Sequence, residues 1–107
     1  EGLATHWEMW SFAEGGMNPM QMLATATINP ARYLGMDGDL GSIEAGKLAD
    51  LQVVDGNPLT DIKTTDHITH VMVNGRLYRA SDLGEEVTGS RPAPTLWWHN
   101  QPQHQIR

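Results

Sequence analysis

Five histidines, His6, His67, His70, His99 and His104, have the widest chemical reach of any residue type in this 107-residue chain. Imidazole can ligate a divalent metal or move a proton near neutral pH, and the sequence has no cysteine to share either task. Spacing limits what the histidines can do together. None sits in His-x-His or His-Glu-x-x-His, the patterns that present two imidazoles to one ion. His67 and His70 are three apart in a stretch that reads as a strand, where an odd offset sends side chains to opposite faces. They are expected to be exposed strand residues, not a ligand pair. His99 and His104 fall in a Pro- and Gln-rich tail, and His6 opens a predicted helix. The acidic residues Asp37, Asp39, Glu44, Asp50 and Asp55 are spread along turns and a strand, and Glu85-Glu86 reads as a solvated face, so none is assigned acid or base work. Met9, Met17, Met20 and Met22 fit core filler between helices better than a sulfur ligand set. No Ser or Thr has a His at nucleophile spacing, which leaves a triad to three-dimensional assembly alone.

The elements that must position these groups change character along the chain. Thr5-His6-Trp7-Glu8 has the Ser/Thr-x-x-Glu spacing of a capping box and predicts a helix over residues 6–13, ended by Gly15-Gly16. Leu3, Trp7 and Trp10 give it a broad apolar face that needs a partner. Asn18-Pro19-Met20-Gln21 starts a second helix, to about residue 26, and Asn29-Pro30 a third over 31–34, closed by Gly35. Met36 to Leu40 is a loop leading into a short strand near Leu40-Gly41-Ser42. Gly41 and Gly46 bracket a segment too short for a strand of its own, so both are expected to supply turn geometries closed to other residues. Leu48 to Val54, with Val53-Val54 adjacent and Gly56-Asn57-Pro58 as a stop, reads as a buried strand. Ile62 to Thr65 reads as an exposed passage, and residues 67–73 as a further strand. Val73-Asn74-Gly75-Arg76 predicts a type I′ hairpin in which Val73 faces Arg76, Met72 faces Leu77 and Val71 faces Tyr78. A short turn or helix around Ser81-Asp82-Leu83 precedes an extended tail anchored by Trp97-Trp98.

Composition bounds the function. Hydrophobic residues make up 39% and charged residues 19%, which excludes disorder throughout. The net charge of −6 and a pI near 5.1 argue against a nucleic-acid or anionic membrane partner, which would be approached against repulsion. No run reaches the roughly 20 apolar residues of a membrane span, and residues 1–20 lack the pattern of a signal peptide.

Gly41-Ser42-Ile43-Glu44-Ala45-Gly46-Lys47-Leu48-Ala49-Asp50-Leu51, followed by Val53-Val54-Asp55-Gly56-Asn57-Pro58-Leu59, resembles the C-terminal signature of the amidohydrolase superfamily. These are metal-dependent hydrolases related to imidazolonepropionase and the prolidase-like dipeptidases. The resemblance extends through Thr5 to Trp10, Ala26 to Gly35 and Val71 to Arg76, covering roughly residues 1–80. It implies an α+β chain holding the terminal helices of a (β/α)8 TIM barrel (1–36), strands of a composite β-sandwich made from both chain ends (37–80), and a C-terminal tail (81–107). It also implies that a metal-bound hydroxide attacks a C–N bond of an amide, peptide or cyclic amide in a small-molecule or peptide substrate. The ion is a divalent metal, expected to be zinc, and all its ligands would lie before Glu1. The remainder of the amidohydrolase chain is then the first partner. Lys47 sits in the sandwich turn and does not match the family's metal-bridging lysine.

Within this resemblance Thr5-His6 and Trp7 fall near the rim of the substrate pocket, since barrel active sites lie at the C-terminal strand ends and following loops. His6 is therefore the substrate-proximal candidate; an ordinary first-turn histidine tied to a backbone carbonyl is the alternative. The chain alone is expected to be inactive and without a metal, and to self-associate if its apolar helical face is left wet. Thr5 to Trp10 together with Arg91-Pro92-Ala93-Pro94-Thr95-Leu96-Trp97-Trp98 looks like bacterial members fused behind a TolB-type β-propeller, which points to export or the periplasm. A self-contained α+β interaction module, binding a partner protein through exposed Trp and Met, is the reading from another class.

Overall fold

The computed structural model describes residues 2–96; Trp97, Trp98, His99 and His104 lie outside the described residues. Three helices come first, α1 (Gly2–Glu14), α2 (Pro19–Thr25) and α3 (Ile28–Tyr33), followed by the strands β1 (Leu51–Val54), β2 (Ile68–Val73) and β3 (Arg76–Arg79). A 3-10 helix, Ile62–Asp66, separates β1 from β2. The chain is a small α+β structure with one antiparallel sheet in the order β1-β2-β3.

Helix ends follow local chemistry where the signal is strong. The Asn18 side chain accepts from the Gln21 N–H at 2.9 Å while Gln21 accepts from the Asn18 N–H at 3.0 Å, a complete capping box with Pro19 in the first turn. α1 ends as its glycines predict. Gly16 takes a positive φ of 92°, its N–H bonds to the Ala13 carbonyl at 3.1 Å, and the Met17 N–H reaches back to Phe12 at 3.2 Å, the two bonds of a Schellman motif. α3 closes in the same way through Gly35 and Met36.

Two helix starts differ from expectation. α1 begins at Gly2, so Thr5 and Glu8 are helix-interior residues and no capping box forms there. α3 begins at Ile28 behind Thr27, whose side chain makes no cap bond, and Asn29 lies within the helix. In both cases the helix continues N-terminal to the polar residue, so its side-chain oxygen has no orphan N–H to satisfy.

The loop between α3 and β1 contains no strand near Leu40-Gly41-Ser42; turns and bends occupy it instead. Gly41 and Gly46 both take positive φ, 95° and 94°. The Lys47 ammonium organises this loop, with the Asp37 carbonyl at 2.5 Å, Ser42 Oγ at 2.6 Å and Glu44 Oε2 at 2.7 Å. β1 is shorter than expected, starting at Leu51, because Leu48 bonds to the Asp39 carbonyl instead of a strand. The hairpin register is as predicted, Val73↔Arg76, Met72↔Leu77 and Val71↔Tyr78, with φ of 49° at Asn74 and 80° at Gly75. Between β1 and β2 the register shifts after Val53, which faces His70 while Val54 faces Ile68.

Burial is thin. The buried apolar side chains among the described residues are Met9, Met22, Ala31 and Ile62, whereas Met17, Met20, Trp7 and Ile43 stay exposed, Ile43 at 86%. Of the four methionines expected as core filler, two are therefore buried. Met9 on α1 and Ile62 on the 3-10 helix belong to elements that pack on each other, which ties the helices to the sheet unit.

Candidate functional site

His6 and Trp10 lie one helical turn apart on α1, so their side chains share a face. That face meets the 3-10 helix. Asp61 caps this helix, accepting from the Lys63 N–H at 3.0 Å, and the resulting turn points both Ile62 and Thr65 inward. The Trp10 indole N–H donates to the Ile62 carbonyl at 3.0 Å and to Thr65 Oγ1 at 3.1 Å. His6 Nδ1 is 3.1 Å from the same Thr65 oxygen. The His6 and Trp10 rings are 6.3 Å apart, and Lys63 Nζ stands 5.7 Å from the Trp10 ring centroid, within range of a cation–π contact.

Ile62 to Thr65 is thus not an exposed passage, because Ile62 and Thr65 are buried against α1. His6 is held by a threonine side chain from another part of the chain, not by a backbone carbonyl. Thr65 and Trp10 escaped sequence reasoning because their partners are 52 to 59 residues away. Asp61 before Ile62 was the one local signal of a helical turn.

His6 also lines an open trough of about 880 Å³ between the helices and the sheet, with Leu23, Leu48, Leu51, Val71 and Met72 among its apolar walls. Ser42 and Asp50 line the same trough. The Asp50 carboxylate is committed, accepting from the Asn74 N–H at 2.7 Å.

The other candidates are separate. His67 precedes β2 and lies 3.5 Å from Asp66, while His70 on β2 meets Glu86 at 2.6 Å. Glu44 is held below the ordinary carboxylate range by hydrogen bonds from Lys47 and then Ser42. Glu85 is buried, not part of a solvated face. Its carboxylate accepts from the Thr88 hydroxyl and from the N–H groups of Thr88, Val87 and Ser90, with the Thr88 bonds first among the causes that bring its pKa down to about 2. Among the described residues no group of three or more His, Asp or Glu is placed to hold a metal ion. The acid–base side chains of the described residues therefore do not fit a metal centre.

The model of the amidohydrolase family matches residues 3–78. The chain belongs to the amidohydrolase family. Over 39 residues, 36% of this chain and 9% of the relative, it is 51% identical to an imidazolonepropionase of Symbiobacterium thermophilum. It is 34% identical over 74 residues to the ochratoxinase of Aspergillus niger, covering 65% of this chain and 15% of that one. Solved amidohydrolase-like structures also align with it. A Xaa-Pro dipeptidase with bound methionine superposes with a TM-score of 0.67 and 40% identity, over 70% of this chain and 18% of the other. Molinate hydrolase gives 0.70 at 34% identity, over 86% of this chain and 20% of the other. The amidohydrolase chain described here thus spans a tenth to a fifth of the length of these relatives.

Proposed function

We propose that these residues are the closing piece of a metal-dependent amidohydrolase that hydrolyses a C–N bond in an amide, peptide or cyclic amide. Residues 1–36 would end the (β/α)8 barrel, residues 37–80 would supply strands of the composite β-sandwich, and 81–107 would form the tail. Burial is the observation that carries this reading. Four buried apolar side chains among the described residues leave the helices and sheet without a closed core, where an independent domain of this size buries well over half of its unfolded surface. The β1 edge is unpaired among the described residues, which suits a strand from elsewhere in the same protein. The same open surfaces would drive self-association of the isolated residues.

The divalent metal, zinc by this proposal, is assigned to residues outside those described, because the described side chains do not fit one. His6 is the substrate-proximal residue of the proposal, since it lines the trough and only Nδ1 is bonded to protein among the described residues. Export behind a β-propeller is part of the same proposal, resting on the residue pattern of Thr5 to Trp10 and Arg91 to Trp98. A panel of amide, dipeptide and cyclic amide substrates tests it. The full-length protein is expected to hydrolyse a member of the panel, to lose that activity to a chelator and to regain it with zinc. Turnover that ignores the chelator would contradict the proposal.

A further inference from the structure

We infer that Thr65 fixes His6 as the neutral tautomer protonated on Nε2, so that the imidazole meets the trough as a hydrogen-bond donor to a carbonyl oxygen. An indole N–H can only donate, so Thr65 Oγ1 is an acceptor for Trp10 at 3.1 Å. The threonine's own proton then needs a destination. Neighbouring Thr64 sends its proton to the Asp61 carbonyl at 2.9 Å. Thr65 has no such carbonyl: among the described residues, His6 Nδ1 at 3.1 Å is its only other partner. At 4% exposure, Thr65 has little surface from which to hand the proton to water, although it borders the trough. A hydroxyl donates only to an unprotonated ring nitrogen, so Nδ1 is bare and the ring proton sits on Nε2. The opposite tautomer would aim two N–H groups at Thr65 and strand the buried hydroxyl proton.

Nε2 has no protein partner among the described residues, and His6 lies on the wall of the trough. A fixed N–H there is suited to the acyl oxygen of an amide, where a freely exchanging ring would present a donor only part of the time. Thr65 and Trp10 are accordingly positioning residues for His6. The functional meaning rests on the proposal that His6 meets substrate; the tautomer is a property of the side chains themselves.

Long-range ¹H–¹⁵N spectra of histidine-labelled full-length protein, with His6 assigned through His6→Gln, test the inference. Wild type and Thr65→Ser are expected to show His6 with a bare Nδ1 and a protonated Nε2. Thr65→Val is expected to admit a share of the Nδ1–H form that wild type lacks. A wild-type His6 protonated on Nδ1, or a Thr65→Val spectrum unchanged from wild type at His6, would overturn it. Should Thr65→Val not fold, wild type and Thr65→Ser still decide between the tautomers. Turnover of His6→Ala reports on substrate contact alone: unchanged turnover beside an intact Nε2–H signature would remove His6 from the substrate and leave its tautomer assigned.

Discussion

Gly41 and Gly46 have nearly the same backbone angle and different surroundings, which lets one substitution be worked out against the other. At Gly41, with φ of 95°, an added Cβ would stand 2.6 Å from the Ala31 Cβ and 3.2 Å from the Ile28 Cα. Carbon atoms in contact prefer about 3.5–4.0 Å, so the loop or α3 must move by roughly an ångström. Ala31 is 2% exposed and Ile28 presents backbone, and neither can rotate away. At Gly46, with φ of 94°, nothing lies within 4 Å. Gly46→Ala therefore carries only the left-handed backbone cost, about 1–2 kcal/mol. Gly41→Ala adds overpacking of about 1–3 kcal/mol, for a total of about 2–5 kcal/mol. Any gain from a stiffer unfolded chain is common to both and cancels in the comparison. Urea denaturation of the two variants, followed by tryptophan fluorescence, measures the difference. Equal destabilisation would refute the contact of Gly41 with α3 and with it the seating of the loop that walls the trough.

Further outcomes follow from the same contacts. Asn18→Ala removes one half of the capping box with Gln21 and is expected to cost about 1 kcal/mol in the same denaturation experiment. Trp10→Phe deletes the N–H shared by Ile62 and Thr65 and should cost about 1–2 kcal/mol, with faster amide exchange in residues 62–66. Glu85 gives a pH effect of defined sign. Its folded pKa of about 2 lies below the ordinary 4.5, so its stabilisation is complete above pH 4.5 and is lost as the pH falls from there towards 2. Amide protection factors at Val87, Thr88 and Ser90 should fall across that window, and Glu85→Gln should remove the dependence.

What could be read from the sequence is what neighbouring residues decide. Asn74-Gly75 specifies a turn that accepts two positive φ angles, and the turn length then dictates the pairing of Val73 with Arg76. Asn18, Gly16 and Gly35 act within one helical turn, and all were legible. Thr5-x-x-Glu8 carried the same kind of signal and misled, because the helix extends N-terminal to Thr5 and leaves it no free N–H to cap. The burial of Thr65 could not be read, since it depends on a tryptophan 55 residues away. Glu85 looked solvated because its partners are mostly backbone N–H groups, which leave no mark in side-chain chemistry. His6 was visible as a residue, but its partner was not.

Metal content, measured on the purified full-length protein and on residues 1–107 prepared alone, bears most directly on whether these residues close an enzyme whose ion is held elsewhere. A bound divalent metal at or above one per chain in the full-length protein, with none retained by residues 1–107, is the expected result. Stoichiometric zinc retained by residues 1–107, with amide hydrolysis that depends on it, would contradict it.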